Sequence, residues 1–192
     1  ALLLSFTGRS DEAIAEIKTA IDLDPASILN HRIYGQTLYY SRRYDEAIAE
    51  NIRLVDMGVD FSAVQDSLIG SYRMKGNDDQ AFEWFVRGQV LSEETPDEIQ
   101  LLKTVYARSG WRGIFKRQIE QTSESEKNGK ASPMRFARLY SRLENREQAF
   151  AYLEKAFGLR LMPMVTLKVQ PDFDALRSDP RFNDLLKRVN FE

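Results

Sequence analysis

The chain has 192 residues, 43% hydrophobic and 29% charged, which is the balance of a folded protein rather than a disordered one. Lys and Arg number 27 against 29 Asp and Glu, and the net charge of -2 lacks the basic excess of a dedicated nucleic-acid binder. Without cysteine, disulfide frameworks, thiol nucleophiles and cysteine zinc sites are excluded, and the composition fits the cytosol.

The opening Ala1-Leu2-Leu3-Leu4 is too short for a signal peptide, lacks a basic start and runs straight into a patterned helix. No apolar run reaches the ~18 residues that span a bilayer. The first residue is not Met and the first helix lacks its beginning, so the sequence reads as a piece cut from a longer protein.

Three segments then align: Gly8–Glu16, Arg42–Glu50 and Gly76–Trp84. Ala13, Ala47 and Ala81 recur at intervals of 34 residues, and two further steps lead through Phe115 to Ala149. Gly8, Gly76 and Gly110 lie on the same lattice, with Arg42 in the skipped glycine slot. Each unit predicts a helix of about 14 residues, a turn rich in Gly or charge, and a second helix. Ile33, Tyr34, Leu38 and Tyr39 give the second unit an apolar stripe at helical spacing, which Ala47, Ile48 and Ile52 continue. The alanines mark the crossing point of the two helices. Glycine before the second helix permits a left-handed turn, and Asp11, Asp45 and Asp79 fall near helix N-termini, where a carboxylate is favoured. Pro25 is a helix stop.

The 34-residue period, the Asp-Glu-Ala-Ile core and the Ala20…Asp24-Pro25 ending resemble tetratricopeptide repeats over roughly residues 1–158. The resemblance implies an all-α, right-handed superhelical solenoid of about five antiparallel helix pairs, the first truncated and the fourth degenerate. In that fourth unit Phe115 and Thr122 stand in alanine slots and Lys103 where a small residue is preferred. The second unit departs at Asn51 and Leu54.

Residues 159–192 fall outside the lattice and predict a C-terminal cap. Asp172 and Ser178 or Asp179 are expected as helix N-caps, Pro180 fits a first helical turn, and Phe182, Leu185, Leu186 and Val189 predict a final amphipathic helix. This ending also looks like that of bacterial tetratricopeptide regions following a winged-helix regulator, a protein kinase or a nucleotide cyclase, which implies a regulatory parent protein.

Little points to catalysis. His31 is the one histidine, on the packing side of its helix, so neither a serine triad nor a His-Glu-x-x-His zinc site can be assembled. No Gly-rich phosphate loop or EF-hand pattern is present, and no cofactor or metal is expected. Trp84 and Trp111 are expected at helix–helix contacts.

The family presents the first helix of every unit on a concave inner face that binds peptides or helices. That resemblance selects Arg32, Gln36, Tyr39 and Tyr40; Asp66, Ser67 and Arg73; Gln100, Thr104 and Arg108; and Arg135, Arg138, Ser141 and Arg142. Arg135, Arg138 and Arg142 share one helix face by spacing alone. Arginine suits bidentate recognition of carboxylate and phosphate, so the expectation is a groove for an acidic peptide, a C-terminal carboxylate or a phosphorylated segment. The competing reading is a solvated face paired with local carboxylates. If the groove is open, reversing the charge of Arg138 and Arg142 abolishes acidic binding without lowering the melting temperature. A self-association module, through Leu2, Leu3, Leu4 and Phe6, is the alternative function. Tyr39 and Tyr40 would permit stacking on RNA bases, against which the overall acidity counts.

Overall fold

The computed structural model describes residues 1–59, 62–127 and 131–189. Among the described residues the secondary structure is helical, without strands. The helices are α1 (Leu2–Phe6), α2 (Ser10–Leu23), α3 (Ile28–Tyr40), α4 (Tyr44–Asp56), α5 (Ser62–Met74), α6 (Asp78–Leu91), α7 (Pro96–Lys127), α8 (Pro133–Arg142), α9 (Arg146–Gly158) and α10 (Pro180–Arg188). Two 3-10 helices, Met162–Thr166 and Pro171–Leu176, lie between α9 and α10. The helices form two compact units, Ala1–Leu101 and Leu102–Glu192.

In the first unit each helix packs on its neighbour in sequence, and the first helices of successive hairpins also touch, α1 on α3 and α3 on α5. Ala13, Ala47 and Ala81, on the second helices of successive hairpins, are fully buried, and a larger side chain there would overpack the contact. Leu54, Val59, Val64 and Leu68 form a core cluster, with Trp84 packed against it. Polar side chains also enter these interfaces, the Thr37 and Ser71 hydroxyls without a hydrogen-bond partner among the described residues and Asn51 with two. Asn51 donates to the Ala47 carbonyl at 2.6 Å and to Ser67 Oγ at 3.0 Å, which satisfies an amide that the apolar stripe would otherwise strand.

The turn slot of each hairpin holds a positive φ throughout the lattice. Gly8, Arg42, Gly76, Gly110 and Glu144 all hold positive φ, at 81°, 61°, 73°, 54° and 60°. The slot therefore demands a left-handed residue whatever occupies it, and Arg42 and Glu144 adopt a conformation that glycine adopts without strain. At Gly110 the same slot falls within α7, whose continuous run is broken there by non-helical dihedrals into two helices. The acidic residues follow as expected, with Asp11 and Glu12, Asp45 and Glu46, and Asp78 and Asp79 in first turns.

In the second unit, Phe115 fills its alanine slot as a buried ring stacked on Trp111 at 5.6 Å. Met134, Ala137, Ala149, Phe150 and Leu153 share a single core with Leu167, Phe173, Leu176, Phe182 and Leu185 of the tail. Beyond residue 158, where the lattice is expected to end, the 34-residue spacing recurs: α10 begins at Pro180, one period after α9 begins at Arg146. The paired residues Arg138 and Asp172, Glu147 and Arg181, and Glu154 and Arg188 are each 34 apart. Pro163 and Pro171 stand in the first turns of the two 3-10 helices that precede α10. Asp179 is the N-cap of α10 as expected, accepting from the Arg181 amide at 3.0 Å, with Pro180 in the first turn.

Candidate partner-binding faces

The candidate faces are those of the first helices, and two of them are already occupied from within. In α8 the apolar residues Phe136 and Ala137 face the core, so the opposite side carries Arg135, Arg138 and Arg142. Arg135 is exposed. Arg138 donates through Nε to Asp172 Oδ2 at 2.6 Å. Arg142 binds the same carboxylate with two donors, Nε to Oδ1 at 2.7 Å and Nη2 to Oδ2 at 3.0 Å, and its guanidinium lies over the Phe115 ring at 5.4 Å. Gln170 Nε2 completes the set at 2.7 Å, and Ser141 Oγ donates to the Asp172 carbonyl at 2.6 Å.

The Asp172 side chain is 1% exposed. Burial alone would push its carboxyl upward, but the guanidiniums of Arg142 and Arg138 outweigh it and hold the group well below the usual carboxylate range. Asp172 was expected to cap a helix. It does not: the Pro171–Leu176 helix has Gln170 at its N-cap position with no side-chain cap bond, and the carboxylate turns inward because two guanidiniums compensate its desolvation. Arg138 and Arg142 thus recognise a carboxylate, but an internal one. The signal available in the sequence was that Asp172 stands one period after Arg138.

In the first unit the corresponding face of α3 is filled by rings. Tyr39 and Tyr40 are buried and lie 5.8 Å apart. Tyr40 meets Phe6 edge-on at 6.2 Å, and Tyr39 meets Tyr44 at 6.1 Å. A Cβ at Gly70 would stand 2.7 Å from the Tyr39 hydroxyl, so α5 receives the ring only because that position is glycine. Gln36 donates to the Tyr40 hydroxyl at 3.3 Å, and Arg32 is half-buried without an ion pair among the described residues. On α5, Asp66 is exposed, Ser67 is buried under Asn51, and Arg73 is half-buried. Along α7, Gln100 is exposed in the first unit, while in the second Thr104 is half-buried and Arg108 is exposed.

Residues 1–27 and 134–161 match the tetratricopeptide repeat family. Two stretches of the chain are thus similar to tetratricopeptide repeats. No curated protein and no solved structure matches the chain significantly. Tetratricopeptide repeats generally mediate protein–protein interaction, and the helical hairpins of the described residues are those of an all-α solenoid.

His31 is buried, with Nδ1 2.5 Å from Glu50 Oε1 and Nε2 2.9 Å from the Pro25 carbonyl, and so ties the loop after α2 to α4. In the second unit a cavity of about 680 Å³ is lined by Phe157, Leu161, Met162, Met164 and Val189. Arg188, on its rim, is engaged by Glu154 and Asp184. Among the described residues, no group of His, Asp and Glu could hold a metal ion, and no helix is long and apolar enough to cross a membrane.

Proposed function

We propose that the chain is an interaction scaffold that holds a protein or peptide partner along the faces of its first helices. The tetratricopeptide match carries this reading. An acidic or phosphorylated segment is the ligand class favoured for the second unit, where Arg108 and Arg135 are exposed and make no ion pair among the described residues. The neighbouring Arg138 and Arg142 demonstrate what this chemistry binds, since they hold Asp172, and for that reason they are set aside as ligand residues.

Fluorescence anisotropy against acidic, phosphorylated, basic and neutral peptides and single-stranded RNA, at two salt concentrations, tests the reading. The expected result is salt-sensitive binding of the acidic or phosphorylated peptides, lost in an Arg108→Glu/Arg135→Glu variant that melts at the wild-type temperature. Equal binding of that variant would remove the arginines from the site. Self-association is favoured by one observation, the exposure of Leu2 and Leu3 on α1. Light scattering on Leu2→Ser/Leu3→Ser checks it, and a wild-type monomer at all concentrations would dismiss it.

A further inference from the structure

The exposed apolar residues of the first unit fall on the lattice. Leu23, Met57 and Leu91 recur at 34-residue intervals at the C-terminal ends of α2, α4 and α6, and are 84%, 43% and 53% exposed. Single exposed leucines are ordinary on any surface. Equivalent positions in stacked hairpins line up along one edge, however, so these three form a column, which exposed Val90 widens at the α6 end.

The column has a charge pattern that the fold itself disfavours. Helix C-termini carry the negative end of the macrodipole and favour cations. Here Asp22 and Asp24 flank Leu23, Asp56 precedes Met57, and Glu93 and Glu94 follow Leu91. All five are exposed and make no ion pair among the described residues. The last turns of α2 and α6 contain no basic residue, and Arg53 in α4 is the exception. Glu93 moreover holds φ 59°, while at the end of α4 the left-handed residue is Gly58 at φ 80°. A carboxylate is thus kept where a glycine would relieve the backbone.

From this we infer that the edge formed by the ends of α2, α4 and α6 is a second docking surface, and that its occupant is a basic amphipathic segment of a partner protein. The segment's apolar residues would cover Leu23, Met57 and Leu91, and its Lys or Arg side chains would meet the dipole ends and the flanking carboxylates. This surface is distinct from the first-helix faces and takes a ligand of opposite charge, so the two can fail separately.

The test uses a labelled amphipathic Leu/Lys peptide against the full chain, with a Ser/Lys peptide and a Leu/Glu peptide as comparisons. The Leu/Lys peptide is expected to bind best. Its affinity should fall by about tenfold or more in Leu23→Ser/Met57→Ser/Leu91→Ser and in Asp24→Asn/Asp56→Asn/Glu94→Gln. Both variants should keep the wild-type melting temperature and any binding of acidic peptides to the first-helix faces. Equal binding of the Ser/Lys peptide would reduce the edge to charge attraction and overturn the proposal. So would undiminished Leu/Lys binding in the apolar variant. A concentration-dependent dimer abolished by the leucine substitutions would overturn it in favour of a second copy of the chain.

Discussion

The first and second units solve one packing problem in two ways. Three periods separate Gln36 from Arg138, Tyr40 from Arg142 and Gly70 from Asp172. At this junction the first unit packs aromatic rings, with Tyr39 lying on the bare backbone of Gly70. The second unit places guanidiniums in the slots of Gln36 and Tyr40 and Ser141 in that of Tyr39, and sets a buried carboxylate opposite them. In each case the two sides are matched: a ring needs an absent side chain, and paired cations need an anion. A repeat lattice therefore conserves the slot and leaves its chemistry free, provided the facing position changes with it. The ionic solution also decides availability, because arginines committed to Asp172 are not open to a partner.

The largest effects should come from removing one side of a match. Arg142→Ala leaves Asp172 buried with a single guanidinium, and a cost on the order of 3 kcal/mol is expected in a denaturant melt. Tyr39→Ala should cost a comparable ~3 kcal/mol through the lost ring. Because hairpins contact only near neighbours, hydrogen exchange should localise the first loss to α8–α10 and the second to α3–α5. Loss of protection spread evenly over both units would break the comparison. It would also show that the ionic junction governs the whole array.

Gly70→Ala is the intermediate case. The added methyl meets the Tyr39 ring, and overpacking of about 1–3 kcal/mol is expected; an unchanged melting temperature would mean that the ring moves freely.

The pH response distinguishes the second junction, which is held by a buried carboxylate. Asp172 is held below its ordinary range, so its contribution to stability is complete above the unfolded-state value of about pH 4. It is lost as the pH falls from there toward the folded-state value. Acid should loosen α8–α10 through this group, and Asp172→Asn should flatten that slope while lowering neutral-pH stability. A wild-type slope in Asp172→Asn would assign the acid sensitivity elsewhere.

The smallest effect concerns the turns. Glu144 is exposed in a left-handed slot, and Glu144→Gly should stabilise by about 1 kcal/mol, read as a raised melting temperature. Arg42→Gly should gain less, because the Arg42 side chain donates to the Tyr40 carbonyl and that bond would be lost.

What the sequence determined by itself was everything governed by local spacing. The 34-residue period, the buried alanines at 13, 47 and 81, the glycine slots and the first-turn acids need only a helix, a turn and a repeated contact, and each is written within one unit. The first-helix faces were legible in position but not in state. Only the tertiary structure decided that Tyr39 and Tyr40 are packed, that Arg138 and Arg142 are bound and that Asp172 lies beneath them. It also decided that the 34-residue spacing recurs in the tail, where α10 begins one period after α9. The physical reason is that a side chain's spacing fixes which way it leaves its helix. Whether it then meets water or a partner depends on a segment one period away, whose shape the local pattern does not specify.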